Sequence, residues 1–346
     1  MAIMADDAAA EAALVSQAVG APVRLQWMRQ EEHGWEPLGG GMAHTMDGAV
    51  QGGAIRAWQH TVYTPTHNAR PGGNAGNTLP GQDLGFLPSN LPKSPIDQGT
   101  RNCPVVYTFP SQVVANHVRV FNTGALGTSG APAQSPLTWI FPRTTALRTL
   151  GGFSNSFANE SFFDELGLAA QGANYDPVAL RLDYLTETRA IGVINAMAQQ
   201  AGWSTWPMPS PGPSLVAGRG VAFVKYELAY TYVAAYVEVQ VNTSTGAIYV
   251  NRVVVAHGCG LIINSDGLRN QIEGNVMQGI SRTLYEQVKY SANGVTSILW
   301  SNPPGPNPPH VAYPVAQFTD APASVEIVLI DQQPYRPGVP ASRHLK

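Results

Sequence analysis

The chain has 346 residues, enough for two or three domains of ordinary size, and its formal net charge at pH 7 is only −3. So weak a charge excludes the extended basic surface that nucleic-acid binding or polybasic membrane contact requires. Charged side chains make up 12% of the sequence, about half of the ~25% typical of soluble domains, so we expect a partner to cover part of the surface.

The cysteine count and the apolar runs limit cofactor and compartment. Cys103 and Cys259 are the two cysteines, whereas an iron–sulfur cluster held by the chain itself would need about four thiolates. The apolar runs are shorter than the ~18 residues of a membrane span, so none is expected. The first residues include Asp6, Asp7 and Glu11 rather than a basic signal region, which makes the cytoplasm the default compartment.

The first third of the chain predicts one helix, two strands and a long loop. Asp6 and Asp7 can cap a helix that runs to about Val19 and stops at Gly20. Alternation of apolar and polar residues predicts strands at 23–29 and 54–63. Residues 64–102 contain six glycines and six prolines and lack periodicity, which indicates a loop: a lid, a docking arm or mere decoration.

A Gly/Ser/Pro/Ala-rich linker, 124–136, predicts a division into domains at 1–130 and 137–346. The helix predicted at 154–168 would bury Ala158, Phe162, Leu166 and Ala169 and expose Glu160, Asp164 and Glu165. The other predicted elements of this half are helices 177–185, 188–201 and 268–288, the second closed by Gly202, and strands 221–227, 232–241, 247–257 and 325–330, with Asp176 and Asp266 as helix caps and a hairpin turn at 242–246. The fold class expected is α+β, with helices packed on mixed, mostly antiparallel sheets.

The last long helix carries the most informative pattern. Gly274 and Gly279 interrupt its interior, at a cost of about 1 kcal/mol each relative to alanine. Gln271, Gly274, Asn275 and Gln278 recur at helical spacing on one polar face. That face could receive a flat polar ligand, since amides offer both donors and acceptors. The alternative is close packing of the glycines against a strand, with the glutamines exposed.

Three stretches resemble one enzyme family, in order and spacing over nearly the whole chain. HGCGLIINSDGLRNQIEGNVMQGISRTLYEQVKY, at 257–290, is similar to the cofactor-binding segment of the xanthine dehydrogenase and aldehyde oxidase family. More narrowly, it resembles the large subunit of isoquinoline 1-oxidoreductase-like molybdenum hydroxylases. VRLQWMRQEEHGWEP, at 23–37, and FPRTTALRTLGGFSNSFANESFFDEL, at 141–166, resemble the strand after the family's first Gly-rich loop and its substrate-side segment.

The resemblance implies two molybdopterin-binding-type domains and a molybdopterin cofactor in its cytosine dinucleotide form. It also implies hydroxylation of an N-heterocycle or aldehyde with water as the oxygen source. Because the chain has too few cysteines, the family's pattern places the [2Fe–2S] clusters in a separate small subunit.

The family's site residues transfer to this chain by matching motifs. The resemblance assigns cofactor contacts to Gln271, Gly274, Gln278 and Gly279 on the last long helix and to Gly151 and Gly152 near the substrate. Arg148 is the expected substrate anchor, because a guanidinium can orient a carbonyl or ring nitrogen. The alternative is an arginine that fixes a loop or a carboxylate.

Two family features are missing. The resemblance places a Gly-rich phosphate loop before Asp6 and a catalytic Glu, which acts as general base, at the position of Val339. Valine cannot accept a proton, so no catalytic residue is expected to be intact. We therefore expect a C-terminal fragment, or a rewritten version, of the large subunit, which would need the absent N-terminal half as a partner. An export signal in that half would place the protein in the periplasm. The alternative is a non-catalytic scaffold that keeps the fold.

Three further groups have weaker claims. His257, Cys259 and His310 could suggest a metal site, although structural roles are favoured. Glu31, Glu32 and His33 could suggest acid–base chemistry but are more typical of a solvated turn. The tryptophans at 27, 35 and 58 could stack on a substrate ring, and buried packing is the default.

Overall fold

A computed structural model describes residues 7–65, 67, 75–86, 98–119, 144–145, 147–172, 175–205, 207–228, 230–291, 294–302, 304, 308 and 310–331. In these residues the helices are α1 Asp7–Val19, α2 Arg29–Trp35, α3 Leu79–Asp83, α4 Gly152–Gln171, α5 Pro177–Asp183, α6 Thr188–Ala201 and α7 Ser265–Leu284. The strands are β1 Leu38–Gly39, β2 Ala43–Gln51, β3 Ala54–Pro65, β4 Ser111–Arg119, β5 Thr144–Thr145, β6 Leu215–Lys225, β7 Tyr232–Asn242, β8 Ile248–Gly260, β9 Tyr290–Ser291, β10 Gly294–Val295 and β11 Ser324–Asp331. The predicted α+β class is confirmed.

The chain divides into two compact units, each built from several stretches. Unit 1 comprises Met1–Val105, Pro110–Leu166 and Tyr285–Val315, and unit 2 comprises Val106–Phe109, Gly167–Leu284 and Ala316–Lys346. The predicted linker at 124–136 lies outside the described residues, so the domain boundaries at 1–130 and 137–346 stay a prediction.

Unit 1 contains a three-stranded sheet in the order β2–β3–β4, with β2 antiparallel and β4 parallel to the central β3. The central strand supplies the core. Trp58 is 1% exposed and its ring meets those of Phe162 and Phe163 on α4 edge-on, at 5.1 and 6.4 Å between centroids. Strand β3 confirms the prediction for 54–63, and Trp58 has the buried role that is the default for tryptophan.

Unit 2 contains a four-stranded sheet in the order β11–β8–β7–β6. Strands β6, β7 and β8 form an antiparallel meander, and β11 joins β8 in parallel. Alternate residues of β8 face opposite sides. Arg252 reaches the carbonyls of Gln200 and Ala201 at the end of α6, whereas Val253 and Val255 pack with Ile272 of α7. The two helices therefore cover opposite faces of one sheet.

Several predicted helix ends in unit 2 are confirmed. Asp176 caps α5 by accepting from the backbone N–H groups of Val178 and Ala179, and Pro177 is the first helical residue. Helix α6 ends at Gly202, whose φ of 65° lies in the left-handed region that glycine adopts at no steric cost. The hairpin turn between β7 and β8 also lies where it was predicted.

The strand predicted at 23–29 is wrong. Side chains of 23–28 do alternate between half-buried and exposed, but these residues pair with no strand in the described part of the chain. Trp27 instead donates from Nε1 to Glu11 Oε2 of α1 at 2.8 Å, so the segment lies against a helix. At Arg29 the chain turns into α2, where the Glu31 carboxylate accepts from the Met28 backbone N–H.

The inward face predicted for α4 is partly wrong. Glu160 is buried at 8% exposure and Ala169 is exposed, opposite to expectation. The reason is a polar interaction: Asn155 donates to the carbonyls of Gly99 and Arg101, and Asn159 donates to those of Asn102 and Cys103. These bonds turn a polar side of the helix inward. The long loop predicted at 64–102 likewise contains α3 and two short 3-10 helices, Ala75–Asn77 and Gln98–Thr100.

Candidate functional site

Helix α7 carries four of the predicted cofactor contacts, and its packing decides which face is available. Asn264 caps the helix, with its Oδ1 accepting from the Gly267 N–H at 2.9 Å. The prediction of Asp266 as the cap is therefore wrong, since Asp266 lies inside the first turn. Ile272, 6% exposed, joins Leu268 and Val276 against the sheet. The opposite side of the helix consequently points away from the sheet.

The outer side of α7 is polar, and no side chain projects from it at its glycine. Gln271, Gly274 and Asn275 are exposed, and Gln278 and Gly279 are half-buried. A Cβ placed at Gly274 or Gly279 would meet no atom within 4 Å in the part of the chain that the structure describes. Close packing of these glycines against a strand, the alternative from the sequence, is therefore not found among the described strands. We call Gln271, Gly274, Asn275 and Gln278 the amide face. Gly279 comes seven residues after Ile272 and therefore lies nearer the sheet side of the helix.

The amide face fits a pterin in its chemistry. A pterin edge presents donors and acceptors side by side, and each primary amide offers both. Gly274 leaves this face without a side chain at one position, so a flat ring could approach the backbone closely. The helix gives up stability at Gly274 and Gly279 without a packing contact in the described residues to compensate.

The predicted substrate-side residues lie in a strained turn of unit 1. Arg148 is exposed at the start of this turn. The backbone N–H of Leu150 donates to the carbonyl of Leu147, and that of Gly152 donates to the carbonyl of Thr149, each at 2.8 Å. Thr149 and Leu150 have φ of 74° and 55°, in a region that costs a non-glycine residue about 1 to 2 kcal/mol. Such outliers concentrate at functional segments, which is consistent with the role predicted for Arg148.

The two glycines of this turn have different surroundings. A Cβ at Gly151 would lie 2.1 Å from the carbonyl oxygen of Gly99, so the contact between these backbones requires glycine. Gly152 is buried and is the first residue of α4. Packing alone therefore accounts for Gly151, and its predicted cofactor contact stays a prediction.

The predicted site residues fall into three groups. Arg148, Gly151 and Gly152 belong to unit 1, and the amide face belongs to unit 2. Val339, the expected position of the catalytic Glu, lies outside the described residues. The structure thus brings Arg148, Gly151 and Gly152 together in unit 1, and it brings the residues of the amide face together in unit 2.

The weaker candidates are described by their surroundings. Burial lowers the pKa of His257, and no cluster of three metal-binding side chains occurs within the described ranges. His33 packs edge-on against Tyr313 at 4.9 Å, and burial, followed by the charge of Arg29, lowers its pKa. Residues 31–33 belong to α2 rather than to a turn. The predictions from the sequence did not include His44, His60 and Ser154, because these residues lie far apart in the chain and belong to no local motif.

Comparison with known proteins shows which family the region around the amide face is similar to. The model of the molybdopterin cofactor-binding domain family matches residues 195–298, which include all of β6, β7, β8 and α7. The chain is related to the molybdopterin-binding large subunits of the xanthine dehydrogenase family. The resemblance found in the sequence is confirmed.

Two curated relatives and one solved structure support this relationship. The chain is 31% identical to a nicotinate dehydrogenase subunit of Pseudomonas putida over 340 residues, 95% of this chain and 25% of that protein. It is 27% identical to the beta subunit of isoquinoline 1-oxidoreductase from Brevundimonas diminuta over 82% of this chain and 32% of that protein. Quinoline 2-oxidoreductase from Pseudomonas putida 86 shares the fold, with a TM-score of 0.64 at 12% identity over 92% of this chain and 58% of that one.

The extent of these matches bounds what they show. The chain spans about a quarter to a third of the length of the two curated relatives. Their activities therefore belong to the longer proteins. Among the described helices, none combines the length and apolar character needed to cross a bilayer.

Proposed function

We propose that the chain is part of the molybdopterin-binding subunit of a molybdenum hydroxylase that oxidises an N-heterocycle, or an aldehyde, with water as the oxygen source. The amide face carries this proposal, because a side chain at Gly274 would meet no atom within 4 Å in the part of the chain that the structure describes, and the whole face lies inside the matched region. The N-heterocycle is favoured, since nicotinate and isoquinoline give the curated relatives their names.

The chain's own residues would hold the cofactor and place the substrate. The amides of Gln271 and Gln278 would bond the donor and acceptor edges of the pterin, while Gly274 and Gly279 would let it lie close to the helix. Gly151 and Gly152, which the resemblance assigns to the cofactor, are further proposed backbone contacts. The bound molybdopterin, in its cytosine dinucleotide form, would supply the redox chemistry.

Arg148 would orient the substrate. Arg148 is an exposed residue at the start of the strained turn, and its guanidinium would donate to a carbonyl or ring nitrogen. The same positive charge would stabilise negative charge that develops on that atom during attack. Electrons would leave through a separate [2Fe–2S] subunit, as two cysteines are too few to hold a cluster. The division into domains at 1–130 and 137–346 is part of the same proposal.

A second candidate is a non-catalytic scaffold that keeps the fold. Val339, at the position where the resemblance expects the catalytic Glu, favours it, because valine cannot take up a proton.

Metal and pterin analysis separates the two candidates. The chain would be purified from a host that makes the cofactor, together with a [2Fe–2S] subunit, and molybdenum and pterin would be quantified. Molybdenum and pterin in equal, near-stoichiometric amounts support the hydroxylase subunit, whereas a complex that lacks both supports the scaffold. A Val339→Glu complex that gains no activity on N-heterocycles or aldehydes would contradict the assignment of that position.

A further inference from the structure

Three side chains of unit 1 form a continuous hydrogen-bonded chain that begins two residues after Gly152, one of the proposed cofactor contacts, and that no part of the proposed function uses. His44 on β2 lies between His60 on β3 and Ser154 on α4: its Nδ1 is 2.9 Å from His60 Nε2, and its Nε2 is 2.8 Å from Ser154 Oγ. His60 is fully buried, whereas His44 and Ser154 are partly exposed. The chain therefore leads from the core of unit 1 towards its surface.

The inner end of this chain sets the direction of proton donation. His60 Nδ1 lies 3.3 Å from the carbonyl oxygen of Cys103, which can only accept. His60 then carries its proton on Nδ1, and its Nε2 accepts from His44 Nδ1. His44 Nε2 is left with a lone pair, which accepts the hydroxyl proton of Ser154.

The Cys103 thiol could also interact with His60 Nδ1, as a hydrogen-bond donor in competition with the carbonyl oxygen, but it is the weaker partner. Its Sγ lies 3.4 Å from His60 Nδ1, and burial raises the pKa of the thiol to about 12, so it stays neutral. A thiol is a weak donor, while the carbonyl is a strong acceptor that Asn159 Nδ2 also holds, at 3.2 Å. The carbonyl therefore determines the direction, with Ser154 as a donor to His44.

We propose that Ser154 is a nucleophile, activated by His44 and positioned through His60, that takes the acyl group of a small apolar ester. A hydroxyl that donates to a neutral imidazole, itself oriented by a third group, is the arrangement of nucleophilic serine sites. The Ser154 oxygen would bond the ester carbonyl carbon, its proton would pass to His44 Nε2, and the departing alkoxide would take up that proton as the ester bond breaks. The product is an acyl-serine and a free alcohol.

The surroundings of Ser154 suit this reaction. Ser154 is the third residue of α4, where the positive end of the helix dipole favours negative charge on the attacked oxygen. Phe157, three residues on and therefore on the same side of the helix, is 61% exposed and offers an apolar surface for the acyl group. Burial, followed by the neighbouring His60, lowers the pKa of His44 to about 4, so it is a neutral acceptor at pH 7.

An alkyl fluorophosphonate tests the proposal on the full chain. Its P–F bond breaks as the Ser154 oxygen bonds phosphorus, which leaves an adduct that peptide mass spectrometry can locate. We expect one adduct, on Ser154, and none in Ser154→Ala. The labelling rate should fall at least tenfold in His44→Gln, since general bases contribute about 10²- to 10⁴-fold. It should be flat from pH 6 to 8 and drop near pH 4 with the protonation of His44.

Matched variants keep the test decisive. Ser156→Ala, two residues further along α4, should label like the wild-type chain. Release of p-nitrophenolate from p-nitrophenyl butyrate should be lost in Ser154→Ala, a small change that leaves the core intact. A folded wild-type chain without an adduct, an adduct on another residue, or equal rates in wild type and a folded His44→Gln would each overturn the proposal. None of these readouts depends on molybdopterin.

Discussion

Arg252 on β8 and Glu326 on β11 form a two-point ion pair across the parallel edge of the four-stranded sheet. Arg252 Nε lies 2.6 Å from Glu326 Oε1, and Nη2 lies 3.2 Å from Oε2. The same guanidinium donates to Glu238 on β7, at 3.3 Å, and to two carbonyls at the end of α6. One side chain thus joins three strands and a helix of unit 2.

We expect Arg252→Lys to lower the free energy of unfolding by about 1 to 2 kcal/mol, because lysine cannot reproduce a planar, two-point contact. Urea unfolding followed by circular dichroism measures the change. Arg24→Lys is the matched control, since Arg24 is exposed and bonds only a nearby glutamine side chain in the described contacts. A loss that is no larger in Arg252→Lys than in this control contradicts the role given to the ion pair.

The cap of α7 gives a second prediction. Asn264→Ala should destabilise the chain by about 1 kcal/mol, because the Gly267 N–H loses its acceptor at the helix start. Asp266→Ala should cost less than about half of that, since Asp266 only interacts with the helix dipole. Thermal unfolding of both variants is the measurement. If Asp266→Ala costs as much as Asn264→Ala or more, Asn264 is not the principal cap.

The sequence predicts the periodic parts of unit 2 well. Asp176 followed by Pro177, and Gly202 after the last turn of α6, are local signals that act through backbone geometry, and they mark helix ends correctly. Alternation at 23–28 misled, because a chain that lies along a helix also buries every second side chain. The alternation does not show which element lies beside the segment, and a strand forms only where its backbone can hydrogen-bond to a partner strand.

The sites show the same division between local and distant signals. The amide face could be predicted, because helical spacing places Gln271, Gly274 and Gln278 on one side whatever the helix packs against. His44, His60 and Ser154 meet only because β2, β3 and α4 pack together, so no spacing in the sequence announces them. Buried Asn155 and Asn159 were missed for a similar reason, because their partners are loop carbonyls more than 50 residues away.

The pH dependence of stability follows in part from His44, which is half-buried. Burial, followed by His60, lowers the pKa of His44 from 6.5 to about 4. The unfolded chain therefore takes up a proton near pH 6.5, which the folded chain resists until about pH 4. The contribution of His44 to the free energy of unfolding should be complete above pH 6.5 and should be lost as the pH drops from 6.5 to 4.

Urea unfolding at pH 7, 5.5 and 4.5 measures this slope. His44→Gln should show a smaller loss of stability over that range than the wild-type chain, because one of the groups that titrate differently in the two states is gone. Ser156→Ala, which removes no titratable group, should keep the wild-type slope. An unchanged slope in His44→Gln contradicts the burial of a neutral His44.

The strained turn before α4 predicts a stabilising substitution. Thr149 is exposed and has a φ of 74°, so Thr149→Gly should relieve about 1 to 2 kcal/mol of steric cost against about 0.5 to 1 kcal/mol of added chain entropy. A net gain of a few tenths to about 1 kcal/mol is expected in thermal unfolding. Thr186→Gly, at an exposed position that is not in the left-handed region, should destabilise the chain instead. A loss of stability in Thr149→Gly would mean that the turn is not strained.

The amide face can be tested with two similar glycines, of which only one belongs to that face. Gly274 in α7 and Gly192 in α6 are both exposed and helical, and a Cβ at either would meet no atom of the described chain within 4 Å. Leucine at either position should raise helix stability by up to about 1 kcal/mol. Loss of cofactor in one variant therefore cannot be attributed to misfolding.

The most direct measurement is the molybdenum and pterin content of these two variants, each purified as a complex with a [2Fe–2S] subunit. If the amide face forms one wall of the pterin site, Gly274→Leu should lose at least nine-tenths of both, while Gly192→Leu keeps the wild-type content. Equal molybdenum and pterin in wild type, Gly274→Leu and Gly192→Leu would contradict the claim that this face binds the cofactor.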